Sequence, residues 1–268
     1  MKTAPQIHLA DVQTVYSGAE GRLWELLMGE QIHIGGFESS MDLARRADVA
    51  AGSRGVDLCC CTGAGMRFLA RFLNVGHMTG VDATPAMVEL GRQRAAAEGL
   101  ADKISLVESN VCGTGLSAGQ FDFAWGEDAW CYVEDKPALI AEAARLIKTG
   151  GKIAFTDWME GPTEWAGADA ARFLAFMKFP NLLNLGEYQD LLAKNGCAAR
   201  VALDTGRFAA AMDLYLDMIE KQLTYDALKI IGFDTAMAAA LIGEMKFIQS
   251  LARTGKIIQG LIVAEKTI

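Results

Sequence analysis

The stretch Asp57-Leu58-Cys59-Cys60-Cys61-Thr62-Gly63-Ala64-Gly65 decides the fold. A short apolar run, GVDLC, enters a turn of small residues, and a helical pattern opens at Met66. Outward from that turn the alternation repeats. HMTGVDA precedes a helical run from Pro85 to Glu98, ISLVES precedes a loop, FDFAW precedes a helix from Lys136 to Lys148, and KIAFTDW follows. Strands alternating with helices of about 10 to 15 residues fold as a parallel sheet with right-handed crossovers. The expectation is a doubly wound α/β domain.

The flanks divide the chain into three expected parts. Residues 1–50 hold a helical pattern from Arg22 to Leu27 and a Gly-rich turn, IHIGGFESS, and read as a helical lid over the sheet edge; residues 51–160 are the core. In residues 161–268, loops and helices run to Lys194 and AARVALD reads as a strand. FAAAMDLYLDMIEKQL through MKFIQSLA reads as two or more helices, and KIIQGLIVAEK as a closing strand. Met212, Met218, Met237 and Met245 fall at helical spacing, as adaptable core or as an apolar pocket.

Composition excludes several function classes. The 268 residues are 51% hydrophobic and 22% charged, enough apolar material for an ample core. Their 25 Lys+Arg against 33 Asp+Glu leave a net charge of -8, with no electrostatic footprint for a nucleic acid. No uncharged apolar run approaches about 18 residues, and MKTAPQIHLADVQ lacks a signal-peptide core, so no membrane partner and a cytoplasmic location are expected. Three of the six cysteines are consecutive, and Cys112, Cys131 and Cys197 lie at no metal-ligand spacing. Reduced thiols and no metal are expected.

In open α/β sheets, ligands bind beyond the carboxyl ends of the strands. Asp57 stands where the first turn begins, and Asp82 closes the next strand, seventeen residues after Gly65. A carboxylate at Asp82 suits a ribose diol. A dinucleotide would want GxGxxG, whereas GAGMRF has Phe68 at the sixth position. Asp57 would also oppose a pyrophosphate, yet it suits an ammonium. Ammonium, ribose and adenine in one ligand describe S-adenosylmethionine; an NAD-dependent oxidoreductase is the competing reading.

The order DLCCCTGAG, GVDATPAM, FDFAWGEDAW, ARLIKTGGKIAFTDW resembles the class I S-adenosylmethionine-dependent methyltransferases, whose usual forms are DLGCGTG, GVDxSxxM, FDxVxxxxxL and LKPGG. The resemblance implies a mostly parallel, seven-stranded Rossmann-like sheet with an N-terminal lid and helical insertions. It also implies S-adenosylmethionine as cofactor. By resemblance Asp57 and Gly63 serve the methionine moiety, Asp82 the ribose, Met87 the adenine face, and Asn110 with Val111 the adenine edge. Tyr16, Cys59, Ala83 and Glu127 complete the expected set. Cys59 and Cys61 replace two glycines, which is expected to tighten the pocket; a non-catalytic cofactor-binding protein is the alternative.

Beyond the core, YSGAEGRLWELLMGEQIHIGGF and MKFIQSLARTGKIIQGLIVAEK resemble segments of sarcosine/dimethylglycine N-methyltransferases, which implies a small-molecule amine as acceptor. An O- or C-methyltransferase of a larger metabolite is the alternative, and arsenite methylation through Cys112, Cys131 and Cys197 is a third reading. Methyl transfer needs a general base only when the nucleophile arrives protonated. Candidate catalytic groups are His33 in the lid, Tyr132 after the fourth strand and Asp157 after the fifth. Related amine and sugar methyltransferases carry a His where this chain has Tyr132, and a tyrosine of pKa about 10 is a poor base. Trp130, Tyr132 and Trp158 either form a cation-attracting substrate face or fill the core. Arg22, Arg172 and Arg207 are candidates for a substrate carboxylate, and His8 and His77 read as structural.

Overall fold

The computed structural model describes residues 2–3 and 7–267. Seven strands make the main sheet: β1 (Arg54–Leu58), β2 (His77–Asp82), β3 (Ile104–Glu108), β4 (Phe121–Glu127), β5 (Ile147–Glu160), β6 (Cys197–Asp204) and β7 (Ile257–Lys266). Their order is β3-β2-β1-β4-β5-β7-β6. The first five pair in parallel, and β7 runs antiparallel to both β5 and β6. The sheet is thus mostly parallel, as the alternation of strands and helices implies. Strand order reverses between β1 and β4, so a crevice opens at their carboxyl ends.

Central strands buried on both faces must be apolar throughout, and these are. Val56, Leu58, Ala124, Trp125, Ile153 and Phe155 are fully buried. Helices α4 (Ala64–Phe72), α5 (Pro85–Ala97) and α6 (Lys136–Leu146) supply the crossovers. Asp135 starts α6 by accepting the backbone N–H of Ala138 at 2.9 Å, and Pro follows at the first turn. The helix stops two residues short of the expected Lys148, because Ile147 is fully buried and pairs with Phe121 across the sheet.

The N-terminal part is more helical than its sequence suggests: α1 (Leu9–Ser17), α2 (Ala19–Met28) and α3 (Gly36–Arg46) precede the sheet. Only Val12 and Val15 of α1 are buried hydrophobics, too few to show a 3.6-residue period. Past β5 come α7 (Gly167–Met177), α8 (Leu185–Lys194), α9 (Phe208–Glu220), α10 (Thr224–Ile230) and α11 (Thr235–Arg253). Phe208, Met212, Tyr215, Leu216 and Ile219 form the buried stripe of α9. They share one core with Trp24, Leu27 and Ile34 of the N-terminal part. Met212 and Met245 belong to that core, whereas Met237 is exposed. Among the described residues, no helix is long and apolar enough to cross a membrane.

Candidate active site

A cavity of about 550 Å³ lies where strand order reverses, walled by the turns after β1, β2 and β4 and roofed by α1 and residues 30–33. That volume is typical of a small-molecule site. The turn after β1 keeps the path of a glycine-rich loop although cysteines occupy it. Cys59 and Cys61 have φ of 65° and 48°, in the left-handed region that Gly63 also adopts at 73°. Holding an L-residue there costs on the order of 1 kcal/mol. Backbone bonds over-determine the turn: Cys59 and Cys60 N–H donate to the Val81 carbonyl at 2.9 and 3.1 Å, and Gly63 N–H donates to the Cys60 carbonyl at 2.7 Å. Both Cys59 and Cys61 line the cavity. Burial pushes their thiols up, Cys61 to about 12, so neither is a thiolate at neutral pH.

Asp82 ties the two turns together. Its Oδ2 accepts from Cys61 N–H at 2.9 Å and its Oδ1 from Thr84 N–H at 2.8 Å, and the carboxylate lines the cavity. Asp57 and Glu127 converge above Gly65. A Cβ built there would lie 2.5 Å from Glu127 Oε2, 3.5 Å from Asp57 Oδ2 and 3.3 Å from Trp125 Nε1. Only glycine lets the start of α4 come that close. Burial raises the Asp57 carboxyl well above the usual range, and the charges of Glu127 and then Asp82 add to it. The Trp125 indole N–H is buried without a hydrogen-bond partner. Two carboxylates in the lining, with no Lys or Arg beside them among the described lining residues, fit a ligand that brings an ammonium, as an amino-acid moiety does.

Ala83, Met87, Asn110 and Val111 line the other arm of the cavity. Asn110 Oδ1 already accepts from Cys112 N–H at 2.9 Å. Gln13 of α1 donates to the Ala83 carbonyl at 2.6 Å, tying the roof to this rim.

On the side of α1, Tyr16 and Tyr132 meet in the cavity wall, ring against ring. Burial holds both phenols well above their ordinary 10. His33 lines the cavity, 3% exposed, with Nε2 3.1 Å from Ser40 Oγ and 3.4 Å from Glu127 Oε1. Ser40 in turn donates to Glu127 at 2.6 Å and accepts from Gln31 at 3.0 Å. With its one proton given to Glu127, Ser40 can only accept from His33 Nε2, while Nδ1 faces the Ile34 carbonyl at 3.4 Å.

Several residues of this arrangement carried no sequence signal of their own. Asp128 accepts from the Ile34 backbone N–H at 2.7 Å and from Gln259 at 2.9 Å, and Gln259 also donates to the Ile34 carbonyl at 2.9 Å. These bonds pin the lid turn to the sheet. Ion pairs of Glu25 with Arg94 at 2.5 Å and of Glu30 with Arg67 hold its outer side. Only the doublet Glu127-Asp128 after an apolar strand hinted at this, since the partners come from residues 34 and 259.

Three sequence expectations need correction. Trp130 is fully buried, stacked on Phe155 at 4.1 Å, and its indole N–H donates to the Leu58 carbonyl at 3.1 Å. It is core, packed over Gly126, where a Cβ would lie 2.4 Å from its Nε1. Trp158 is buried in the helical core among Phe173, Phe179 and Phe208 and does not line the cavity. Asp157 is fully buried behind the short 3-10 turn Trp130–Tyr132, with Oδ1 accepting from Cys131 N–H at 2.9 Å and Oδ2 from the Tyr188 hydroxyl at 2.6 Å. It shapes the turn that presents Tyr132 and has no face toward the cavity. Of the three arginines, Arg22 is exposed, Arg172 pairs with Glu244 and Arg207 with Asp42, and none lines the cavity. Cys112 is at the cavity, but Cys131 and Cys197 are buried in separate clusters, so the arsenite reading loses its ligand set.

Comparison with known proteins agrees with this geometry. Residues 56–155 match a family model described as a methyltransferase domain. Phosphoethanolamine N-methyltransferase 1 of Triticum aestivum is 26% identical over 238 residues, covering 84% of this chain and 46% of the relative. The chain spans about half the length of the curated relatives it matches first. A structure assigned as a sarcosine dimethylglycine methyltransferase from Galdieria sulphuraria superposes with a TM-score of 0.80 at 20% identity, covering 92% of this chain and 97% of that one. Haemonchus contortus phosphoethanolamine N-methyltransferase 2, in complex with phosphomonomethylethanolamine and S-adenosylhomocysteine, gives 0.84 at 19% identity, covering 96% and 59%. Residues 56–155 thus match a methyltransferase domain, and the chain has the Rossmann-like fold of S-adenosylmethionine-dependent methyltransferases.

Proposed function

We propose that this chain moves the methyl group of S-adenosylmethionine to the nitrogen of a small-molecule amine by in-line displacement. The observation that carries the reading is the buried carboxylate pair Asp57 and Glu127 above Gly65, with no Lys or Arg among the described lining residues to neutralise it. When bound, the cofactor supplies an electrophilic methyl group on a sulfonium. Asp57 and Glu127 hold its ammonium, the Asp82 carboxylate accepts from the ribose hydroxyls, Met87 and Val111 pack the adenine, and Asn110 meets its edge. Tyr16 and Tyr132 flank the reacting position, where each ring attracts a cation by roughly 0.5 to 2 kcal/mol. Their hydroxyls stay protonated and cannot take a proton, so the nucleophile must offer a free lone pair. An amine does so after losing its proton to water.

An O- or C-methyltransferase of a larger metabolite needs a group that removes a proton at the acceptor. His33 is engaged with Ser40 and Glu127, and Asp157 lies away from the cavity. The amine is therefore favoured, and the names of the phosphoethanolamine and sarcosine relatives support it.

Calorimetric titration with S-adenosylhomocysteine tests the reading, with Asp82→Ala and NADH as controls. Micromolar binding that Asp82→Ala abolishes is the expected result. Tighter binding of NADH would replace the reading with the oxidoreductase one.

A further inference from the structure

The acceptors named for the phosphoethanolamine and sarcosine relatives carry a phosphate or a carboxylate, and the described lining of this cavity offers no Lys or Arg to receive one. Around the lid side stand Glu30, Glu127, Asp128 and Glu134, with Tyr16 and Tyr132 between them. No Lys or Arg appears among the described lining residues. The nearest cations are already engaged behind the wall. Arg67 donates to the Thr62 carbonyl at 2.6 Å and pairs with Glu30 and Glu98, and Arg94 pairs with Glu25. Lys136 is buried behind Tyr132, giving its protons to the carbonyls of Cys131, Val133 and Asn181 and to Asn181 Oδ1. Arg207 stands behind Gly35, bound to Asp42, with one buried nitrogen unpartnered but outside the lining.

An anionic group in such a site meets Glu127 and Asp128 with no Lys or Arg of the described lining to offset them, which disfavours it. A growing positive charge meets the opposite: carboxylates and two aromatic rings that favour it. Resting on the methyltransferase reading of this cavity, we infer that the acceptor is an amine bearing no phosphate or carboxylate, taken up as the free base and released as an ammonium. The nitrogen lone pair forms the new N–C bond while the S–C bond breaks and its electron pair returns to sulfur, giving a neutral thioether and a cationic product. A secondary or tertiary ammonium product then gives its extra proton to water, and a quaternary one has none to give. The cavity walls stabilise the cation at every stage, and no residue has to act as a base.

The test compares matched acceptors with the full chain and S-adenosylmethionine: ethanolamine with phosphoethanolamine, N-methylethanolamine with sarcosine, N,N-dimethylethanolamine with dimethylglycine. The acid-free member of each pair is expected to have a kcat/KM at least about tenfold higher. Gln31→Lys, which puts an ammonium into the lining, is expected to shrink that ratio. Equal or better turnover of the anionic members overturns the inference while leaving the methyltransferase reading intact. So does turnover of none of the six by protein that binds S-adenosylhomocysteine. Failure of wild-type protein to bind S-adenosylhomocysteine removes the underlying reading and the inference with it.

Discussion

Tyr16 and Tyr132 meet edge-on in the cavity wall, ring centroids 5.4 Å apart and planes at 80°. One ring comes from the first helix and the other from the turn after β4, so this contact joins the N-terminal part to the sheet in the cavity wall. Phe179 packs against the second ring at 4.8 Å. The pair fixes two aromatic faces and leaves no base.

Tyr132→Phe should therefore lower kcat/KM by no more than about tenfold, the worth of one hydrogen bond, and leave the pH profile unmoved. Tyr132→Ala should lose far more, since it removes the ring that packs Tyr16 and Phe179. A pH profile shifted by Tyr132→Phe would make the phenol a proton acceptor after all.

Asp57 should make cofactor binding pH-dependent. Its carboxyl is protonated more readily than usual in the free protein, first through burial and then through the charges of Glu127 and Asp82. A ligand ammonium favours the ionised form, so binding expels a proton and affinity rises with pH until the free-protein group is fully ionised. Calorimetry with S-adenosylhomocysteine in buffers of different ionisation enthalpy reads the proton directly. Asp57→Asn should abolish the release.

Cys59→Gly and Cys61→Gly should each stabilise the fold, by about 0.5 to 1 kcal/mol. The relief of a left-handed L-residue exceeds the extra chain entropy that glycine brings to the unfolded state. Urea unfolding measures this. A loss of stability would mean that the thiols pack more favourably than their backbone angles cost.

Asp157 should give stability a falling limb with pH. Burial raises its carboxyl from the ordinary 3.8 to about 6, against the opposing pull of Lys136 and the Tyr188 hydroxyl. Between these values the unfolded chain has lost the proton that the folded chain keeps, so stability drops as pH rises. At 1.36 kcal/mol per pH unit the drop is on the order of 3 kcal/mol. Unfolding curves from pH 4 to 7 for wild type and Asp157→Asn separate this contribution, which the variant lacks.

Asp128→Ala should loosen the lid. It leaves the Ile34 N–H and the Gln259 amide without their charged acceptor, at a cost of about 2 to 4 kcal/mol. Amide hydrogen exchange of residues 31–36 should rise with a lowered Tm. Unchanged exchange there would show that the ion pairs of Glu25 and Glu30 hold the lid alone.

Much of the core was legible because its signals are local. The run from Asp57 to Gly65, the strand ending in Asp82 and the doublet Glu127-Asp128 each combine a β-type run with the residue at its carboxyl end. Parallel topology then brings those ends to one edge. The lining residues Asp57, Asp82 and Glu127 follow that rule and Asn110 stands just beyond the third strand, whereas Gly63 is not among the described lining residues. Trp130 and Trp158 misled because hydrophobic type and position near a strand end do not say which way a side chain points. One lies over Gly126 and the other turns into the helical core.

The sequence by itself determined the alternating α/β order, the left-handed turn that survives two cysteines, and the carboxylates at the strand ends, because each depends on neighbours a few residues away. Tertiary structure alone decided that Asp128 and Gln259 together pin Ile34, that Asp157 is sealed under Tyr188, and that Arg67, Arg94 and Lys136 are engaged outside the cavity wall. Those outcomes depend on partners 30 to more than 200 residues apart, and only packing chooses among them.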